Sequence, residues 1–329
     1  MTENPSDLLK EQLQYGYRAT NIPAAWRYVH ANKSDYTPKY GHIGDPVSDA
    51  IDLDVADRRD FTDDPVPADV QRDHGIKVVS QAAAQTGNGV GMAGVSDAEV
   101  YVAQFINGNY DRSHPVRVGT AIRWLVDAGV DVINMSWSFS RAFYTELFHA
   151  VQYAYRNGVL FVNSAGNGGT NSPDLTLPGA FGLPNIVTVA ATRGNTDELA
   201  GFTNFGDFVD VAAPGFALPG YVYDDLYDPE GPFGDIPVNE RPDDDTPFRV
   251  IYTFGTSFSA PLTAGVALLM LRVNPDLRNR PVVLKRLLQG TTQDLGLTGP
   301  VEGGAGAGRV DARAAVEAAN DPIDYINRL

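Results

Sequence analysis

The feature that most constrains the fold of this chain is an alternation of short apolar segments with amphipathic ones, which begins near residue 98. The segments AEVYVAQF, VDVINMSW and VLFVNSAGN, followed later by NIVTVAAT and FVDVAAPG, are nearly continuous in apolar residues, as buried strands are. Between them, GTAIRWLVDAG and TELFHAVQYAYRNG carry apolar residues at helical spacing and end at Gly129 and Gly158. The alternation predicts a three-layer α/β/α fold with a mostly parallel central sheet.

Polar residues follow two of the predicted strands. Residues 136–138 (SWS) come after one strand, and residues 164–169 (SAGNGG) come after the next. Loops that leave the carboxyl ends of parallel strands carry most of the chemistry in open α/β sheets. We therefore expect the functional site at that edge of the sheet.

The composition excludes several classes of function. The formal net charge of −16, from 41 acidic and 25 basic residues, argues against nucleic acids and anionic membranes as partners. The chain has no cysteine, which excludes disulfides, thiol catalysis and cysteine-bound zinc. The histidines show no metal-ligand spacing, so we predict no catalytic metal. A composition with many carboxylates and few lysines resembles that of a salt-adapted protein surface, although genome base composition would explain the preference for arginine equally well.

We expect the 329 residues to form one large domain. Within it, residues 1–30 are predicted to be an N-terminal arm and residues 216–250 an acidic loop insertion, which is either a solvated surface loop or a rim of a substrate cleft. No apolar run reaches the roughly 18 residues of a membrane span. The N-terminus lacks the apolar core of a signal peptide, so the protein is either intracellular or has lost a leader and propeptide.

Three residues stand in positions that suit catalysis. In FGTSFSAPLTAGVALLM, Ser257 precedes an apolar run, where it either caps a helix or presents a nucleophilic hydroxyl. His74, in DHGIKVVS, stands before a segment with small residues at helical spacing, a position that suits a general base. Asn167 lies in the glycine-rich turn NSAGNGG, where its amide could donate to an oxyanion. Taken singly, each of the three also suits a purely structural role.

Together, the ordered segments DHGIKVVS, VINMSWS, VNSAGNGG, DVAAPG and GTSFSAPLTAGVALL resemble the subtilisin-like serine protease family, peptidase family S8. The resemblance implies a serine endopeptidase in which Ser257 is the nucleophile and His74 the general base, with an acyl-enzyme that water hydrolyses. It also implies an oxyanion hole formed by Asn167 and the Ser257 backbone N–H.

The resemblance implies further site residues and partners. Ser136, Trp137 and Ser138 would bind the substrate backbone as an added strand and form one wall of the adjacent pocket. Trp137 stands where the family often has a small or aliphatic residue, so the pocket would differ in shape. We expect a peptide or protein substrate, a monomer, and no cofactor for the chemistry. A structural calcium ion is compatible with the loop QTGNGVGMAGV, but no site is assigned.

The third catalytic residue remains open between three alternatives. The family has an aspartate at the end of an apolar strand, followed by Thr or Ser and then Gly, and no such motif precedes His74. Asp35, followed by Tyr-Thr-Pro as in the family, is the first choice, although alignment on that tripeptide places Lys33 at the catalytic position. Asp45, in IGDPVSD, is the second. With no working aspartate, the chain would be a catalytically impaired or dead subtilase that binds peptides or proteins.

Overall fold

The computed structural model describes residues 15–47, 53–62, 72–88, 92–106, 115–139, 144–193, 196–223, 248–297, 303–323 and 325. Within these ranges the helices are α1 (Tyr15–Ala19), α2 (Ile22–Asn32), α3 (Arg72–Ala83), α4 (Pro115–Asp127), α5 (Tyr144–Arg156), α6 (Thr256–Val273), α7 (Pro281–Gly290) and α8 (Ala312–Asn320). The strands are β1 (Lys39–Gly44), β2 (Val55–Asp60), β3 (Glu99–Gln104), β4 (Val132–Met135), β5 (Leu160–Ser164), β6 (Ile186–Thr192), β7 (Val211–Pro214), β8 (Phe216–Tyr223) and β9 (Phe248–Phe254).

The central sheet is parallel throughout its described strands, in the order β2-β3-β1-β4-β5-β6-β7. Helices α4 and α5 pack against each other on one face and enclose a core with Ile122, Leu125 and Leu147. Helices α2, α3, α6 and α8 cover the other face. Because each crossover between parallel strands must run over one face of the sheet, both faces are covered. The predicted three-layer α/β/α fold is confirmed.

Helix α6 is the central helix of its layer. It packs against β4, β5, β6 and β7 and is apolar on all sides. Its 18 residues are long and apolar enough to cross a membrane, but 94% of this segment is buried inside the protein. A helix that is apolar all round is expected in such a position, because protein surrounds it on every side. Its first turn, which carries Ser257, emerges at the carboxyl edge of the sheet.

Two segments differ from the sequence-based description. The described part of the predicted N-terminal arm forms α1 and α2, and Tyr17, Ile22 and Trp26 are buried in the core. The predicted loop insertion begins and ends as strands, because β8 and β9 pair in an antiparallel hairpin. Its acidic centre, residues 224–247, lies outside the described residues.

Candidate active site

The loops at the carboxyl edge of the sheet bring the sequence-predicted groups together. Asp45 directly follows β1, Ser136 directly follows β4, and Asn167 lies three residues beyond β5. His74 lies in the first turn of α3, and Ser257 is the second residue of α6. The carboxyl ends of parallel strands meet at one edge, so residues far apart in the sequence share this site.

His74 pairs with Asp45. The His74 Nδ1 atom lies 2.5 Å from Asp45 Oδ2, and the two side chains are 24% and 1% exposed. Because a carboxylate oxygen accepts the hydrogen bond, Nδ1 carries the proton in the neutral imidazole, and Nε2 is left as the basic nitrogen. The pair therefore presents an imidazole in the tautomer that a general base requires.

Packing fixes the orientation of the His74 ring. The ring meets Trp137 edge to face, with centroids 5.4 Å apart, and Phe258 in the same way at 5.9 Å. The neighbouring Gly75 allows α3 to approach the end of β1, since a Cβ atom at Gly75 would lie 2.4 Å from the carbonyl oxygen of Pro46. A glycine after the histidine is thus a requirement of close packing at this site.

The first choice for the third residue, Asp35, is corrected by the structure. Asp35 is exposed and lies before β1, at the amino edge of the sheet, whereas Asp45 follows the same strand. The six residues of β1 span about 20 Å, the distance that separates the two edges. At the amino edge, Tyr36 donates to Asp131 at 2.6 Å, and the guanidinium of Arg278 lies over its ring. The DYTP segment is therefore anchored away from His74.

Ser257 does not cap its helix. The N-cap residue is Gly255, which has no side chain and a φ of 141°, and the Ser257 hydroxyl instead donates to the carbonyl oxygen of Ser136 at 3.3 Å. The described side chains of Ser257 and His74 share no hydrogen bond, so proton transfer to His74 requires the hydroxyl to leave the Ser136 carbonyl. Hydrogen bonds between catalytic groups are often looser before substrate binds. The capping interpretation of Ser257 is wrong.

Thr256 fixes the orientation of the Asn167 side-chain amide. Its Oδ1 atom accepts from the backbone N–H of Thr256 at 2.9 Å and from the Thr256 hydroxyl at 2.9 Å. Since a backbone N–H can only donate, the orientation of the amide is fixed and Nδ2 points away from Thr256. The Ser257 N–H lies in the first turn of α6, where backbone donors lack partners within the helix. These donors are able to bind a negatively charged oxygen.

The side chains of the segment after β4 mainly stabilise the site. The Ser136 hydroxyl donates to the carbonyl oxygen of Ser257 at 2.8 Å, and the Ser138 hydroxyl donates to that of Ser164 at 3.5 Å. Asn163 donates to the carbonyl oxygen of Trp137 at 2.9 Å. The Trp137 side chain points towards His74 and Asp45. The expectation that residues 136–138 form one wall of a substrate pocket stays a prediction.

The loop QTGNGVGMAGV, which the sequence leaves compatible with a calcium ion, offers few side-chain oxygen ligands among its described residues. Thr86 is held by a hydrogen bond from its backbone N–H to Asp97 Oδ1 at 2.8 Å, which already uses one carboxylate oxygen. In the described part of the chain, no group of three or more His, Asp or Glu residues converges in a way that could hold a metal ion. No calcium site is therefore assigned among the described residues, and no step of the chemistry is assigned to calcium.

A second histidine, His42, lies close to the His74–Asp45 pair and is fully buried in β1. Its Nε2 lies 3.2 Å from the carbonyl oxygen of Asp45 and, facing an acceptor, carries the proton of the neutral ring. Burial disfavours the charged imidazolium and lowers the pKa of His42 from 6.5 to about 4. The ring is therefore neutral at physiological pH and buttresses the backbone of Asp45.

We predict that acid destabilises the fold through His42. The unfolded chain protonates His42 at a higher pH than the folded chain does. The contribution of neutral His42 to the free energy of unfolding is therefore complete above pH 6.5, and about 2–3 kcal/mol of it is lost as the pH falls towards 4. Urea unfolding at pH 7 and pH 4.5 of the wild type and of His42→Asn measures this. Between pH 7 and pH 4.5, the free energy of unfolding of the variant should fall by about 2 kcal/mol less than that of the wild type. An identical pH dependence in both proteins would contradict the assignment.

The chain is similar to known proteins over most of its length. The model of the subtilase family matches residues 28–308. The halolysin-like extracellular serine protease Nep of Natrialba magadii is 31% identical over 324 residues, which cover 95% of this chain and 53% of that protein. Thermitase of Thermoactinomyces vulgaris is 29% identical over 215 residues, 64% of this chain and 73% of that protein.

Solved structures agree on the fold. A protease from Pseudoalteromonas arctica PAMC 21717 is similar with a TM-score of 0.76 and 24% identity, over 96% of this chain and 99% of that one. The chain spans about half the length of Nep. Sequence and fold lead to the same conclusion: the chain belongs to the subtilase family.

Proposed function

We propose that the protein is a serine endopeptidase with Ser257, His74 and Asp45 as its catalytic triad. The observation that carries the proposal is the 2.5 Å contact between His74 Nδ1 and the buried Asp45 carboxylate, at the sheet edge that also bears Ser257. Membership of a family whose relatives are named as serine proteases supports the same activity.

The proposed reaction follows from the orientation of these groups. Ser257 Oγ bonds to the carbonyl carbon of the substrate as His74 Nε2 takes the hydroxyl proton, and Asp45 stabilises the resulting imidazolium. The carbonyl oxygen becomes negative and accepts hydrogen bonds from Asn167 Nδ2 and the Ser257 N–H. The intermediate then expels the amine, which takes the proton from His74. Water attacks the acyl-enzyme by the same steps, releases the acid and regenerates Ser257.

The substrate is proposed to bind as an extended strand along the backbone of residues 136–138, which leaves the sheet beside Ser257. The Trp137 side chain is turned towards His74, and we propose that the peptide lies on the opposite side of this segment. Because Nep is named as extracellular, we also propose that the chain acts outside the cell. The alternative of a catalytically dead, peptide-binding subtilase was based on the lack of a suitable carboxylate, and Asp45 removes that basis.

Peptide hydrolysis by the purified protein tests the proposed function. An internally quenched peptide library should be cleaved at internal bonds, with new amino termini identified by mass spectrometry, and a fluorophosphonate should block the cleavage. Peptides that bind without being cleaved would contradict the proposal and restore the binding-module alternative.

We predict a preference for basic peptides that weakens with salt. The segment 224–247 is rich in Asp and Glu with Arg241 as its single basic residue, and β9, which follows it, ends at Phe254, three residues before Ser257. If this segment borders the substrate cleft, its negative charge attracts basic substrates, and salt screens that attraction. Hydrolysis of matched Lys-rich and Glu-rich peptides at about 0.05 and 1 M NaCl measures this. Equal rates at low salt would contradict it.

A further inference from the structure

We propose that Trp137 is a positioning residue for the catalytic pair: its indole N–H holds the Asp45 carboxylate in the orientation that meets His74. This inference rests on the function proposed above and adds a residue to it. Trp137 Nε1 donates to Asp45 Oδ2 at 3.0 Å, the same oxygen that lies 2.5 Å from His74 Nδ1. The indole and the imidazole therefore share one carboxylate oxygen.

The Asp45 carboxylate needs such a donor because it is almost completely buried. Its side chain is 1% exposed, and Oδ1 makes no hydrogen bond to any residue that the structure describes. The next residue is Pro46, which has no backbone N–H, whereas the family motif has Thr or Ser at this point. Burying a carboxylate costs free energy when hydrogen-bond donors are lacking, and fewer donors also fix its orientation less well. Among the described residues, Trp137 is the partner other than His74 that bonds the Asp45 side chain.

The strand geometry makes room for this contact. A Cβ atom at Gly44 would lie 2.9 Å from Trp137 Nε1 and 3.0 Å from its Cδ1, so only glycine lets the indole reach Asp45. Gly44 also has a φ of 157°, which side chains rarely adopt. Strands β1 and β4 are parallel neighbours, which places the segment after β4 beside the end of β1. The hydrogen bond from Asn163 to the Trp137 carbonyl anchors that segment.

The same side chain orients both members of the pair. The indole packs edge to face against the His74 ring while its N–H bonds the carboxylate. Loss of the N–H frees Asp45 to turn away from His74, and the imidazolium formed during attack is then less well stabilised. Since a hydrogen bond to a charged group is involved, we expect the rate of attack by Ser257 to fall about 10- to 100-fold.

A double-mutant cycle tests the inference. The second-order rate constant for phosphonylation of Ser257 by a small fluorophosphonate is measured in the wild type, Trp137→Phe, Asp45→Ala and the double variant. Such a reagent avoids the peptide subsites. The rate constant of Trp137→Phe should be about 10- to 100-fold lower than that of the wild type. In the Asp45→Ala background the same substitution should lower the rate constant less than about twofold, because Trp137 acts through Asp45. If Trp137→Phe lowers the rate constant by the same factor with and without Asp45, the inference is overturned.

Matched variants separate the hydrogen bond from packing. Trp124→Phe, in helix α4 where the ring packs near Phe61, should react at the wild-type rate. If Trp137→Phe does not fold, β-(3-benzothienyl)alanine at position 137 keeps the shape of the indole without the N–H and should give the same loss. A wild-type rate in either N–H-free protein would refute the role of Trp137 and leave the proposed function intact. A wild type that does not react at all would refute the proposed function itself.

Discussion

Ser257→Ala should abolish peptide hydrolysis, lowering kcat by about 10⁶, the size of the effect of removing the nucleophile in a member of this family. The hydroxyl forms the bond to the substrate carbonyl in the proposed reaction, and alanine offers no atom that can replace it. Hydrolysis of a chromogenic peptide by purified wild type and variant measures the loss.

Ser259→Ala is the matched control, two residues further along the same helix. Ser259 is fully buried, and its hydroxyl has no hydrogen-bond partner among the described residues, so alanine should leave kcat within about twofold. The unfolding temperature of both variants should stay close to that of the wild type. Retention of more than about a hundredth of the activity by Ser257→Ala would exclude it as the nucleophile.

Asp45→Asn should lower kcat by about 10⁴, the second-largest effect that we expect. The amide has the size of the carboxylate, but it lacks the charge that stabilises the imidazolium and can favour the wrong tautomer of His74. Steady-state hydrolysis with the same peptide should show the loss in kcat, with a smaller change in KM.

Asp35→Asn serves as the comparison for this variant. Asp35 is exposed at the opposite edge of the sheet, and its replacement should leave kcat within about twofold. The two variants remove the same charge at two positions ten residues apart in the sequence. A large loss in Asp35→Asn together with an active Asp45→Asn would contradict the geometry and restore the original choice.

The hydrophobic periodicity of the sequence could predict the fold, because along most of the chain the local secondary-structure preference agrees with the tertiary packing. The apolar segments that became β3 to β7 and the amphipathic segments that became α4 and α5 were recognisable from their periodicity. The positions of Ser257, His74 and Asn167 followed from the family blocks, since each lies at an element end that the pattern also indicates.

The strand that leads to Asp45 could not be recognised in the same way. Strand β1 reads KYGHIG, in which two glycines, a histidine and a lysine conceal a segment that is buried from Tyr40 onwards. Its strand character comes from its neighbours β3 and β4, which supply hydrogen bonds on both sides, and hardly from its own composition. The residues before Asp35, by contrast, contain the end of helix α2.

The contact between Trp137 and Asp45 was also beyond the sequence. It joins residues from two different strand ends and depends on the absence of a side chain at Gly44, which has no signal in hydrophobic periodicity. The sequence does show the two residues behind this contact, Pro46 after Asp45 and the unusual Trp137 between two serines. Only the register of β1 against β4 brings them together.

Mass-spectrometric mapping of the residue modified by a fluorophosphonate tests most directly whether Ser257 is an activated nucleophile. We expect one phosphonyl group per molecule, located on Ser257, with the reaction nearly lost in His74→Ala. An unmodified protein, or modification at another residue at the same rate in His74→Ala, would contradict it.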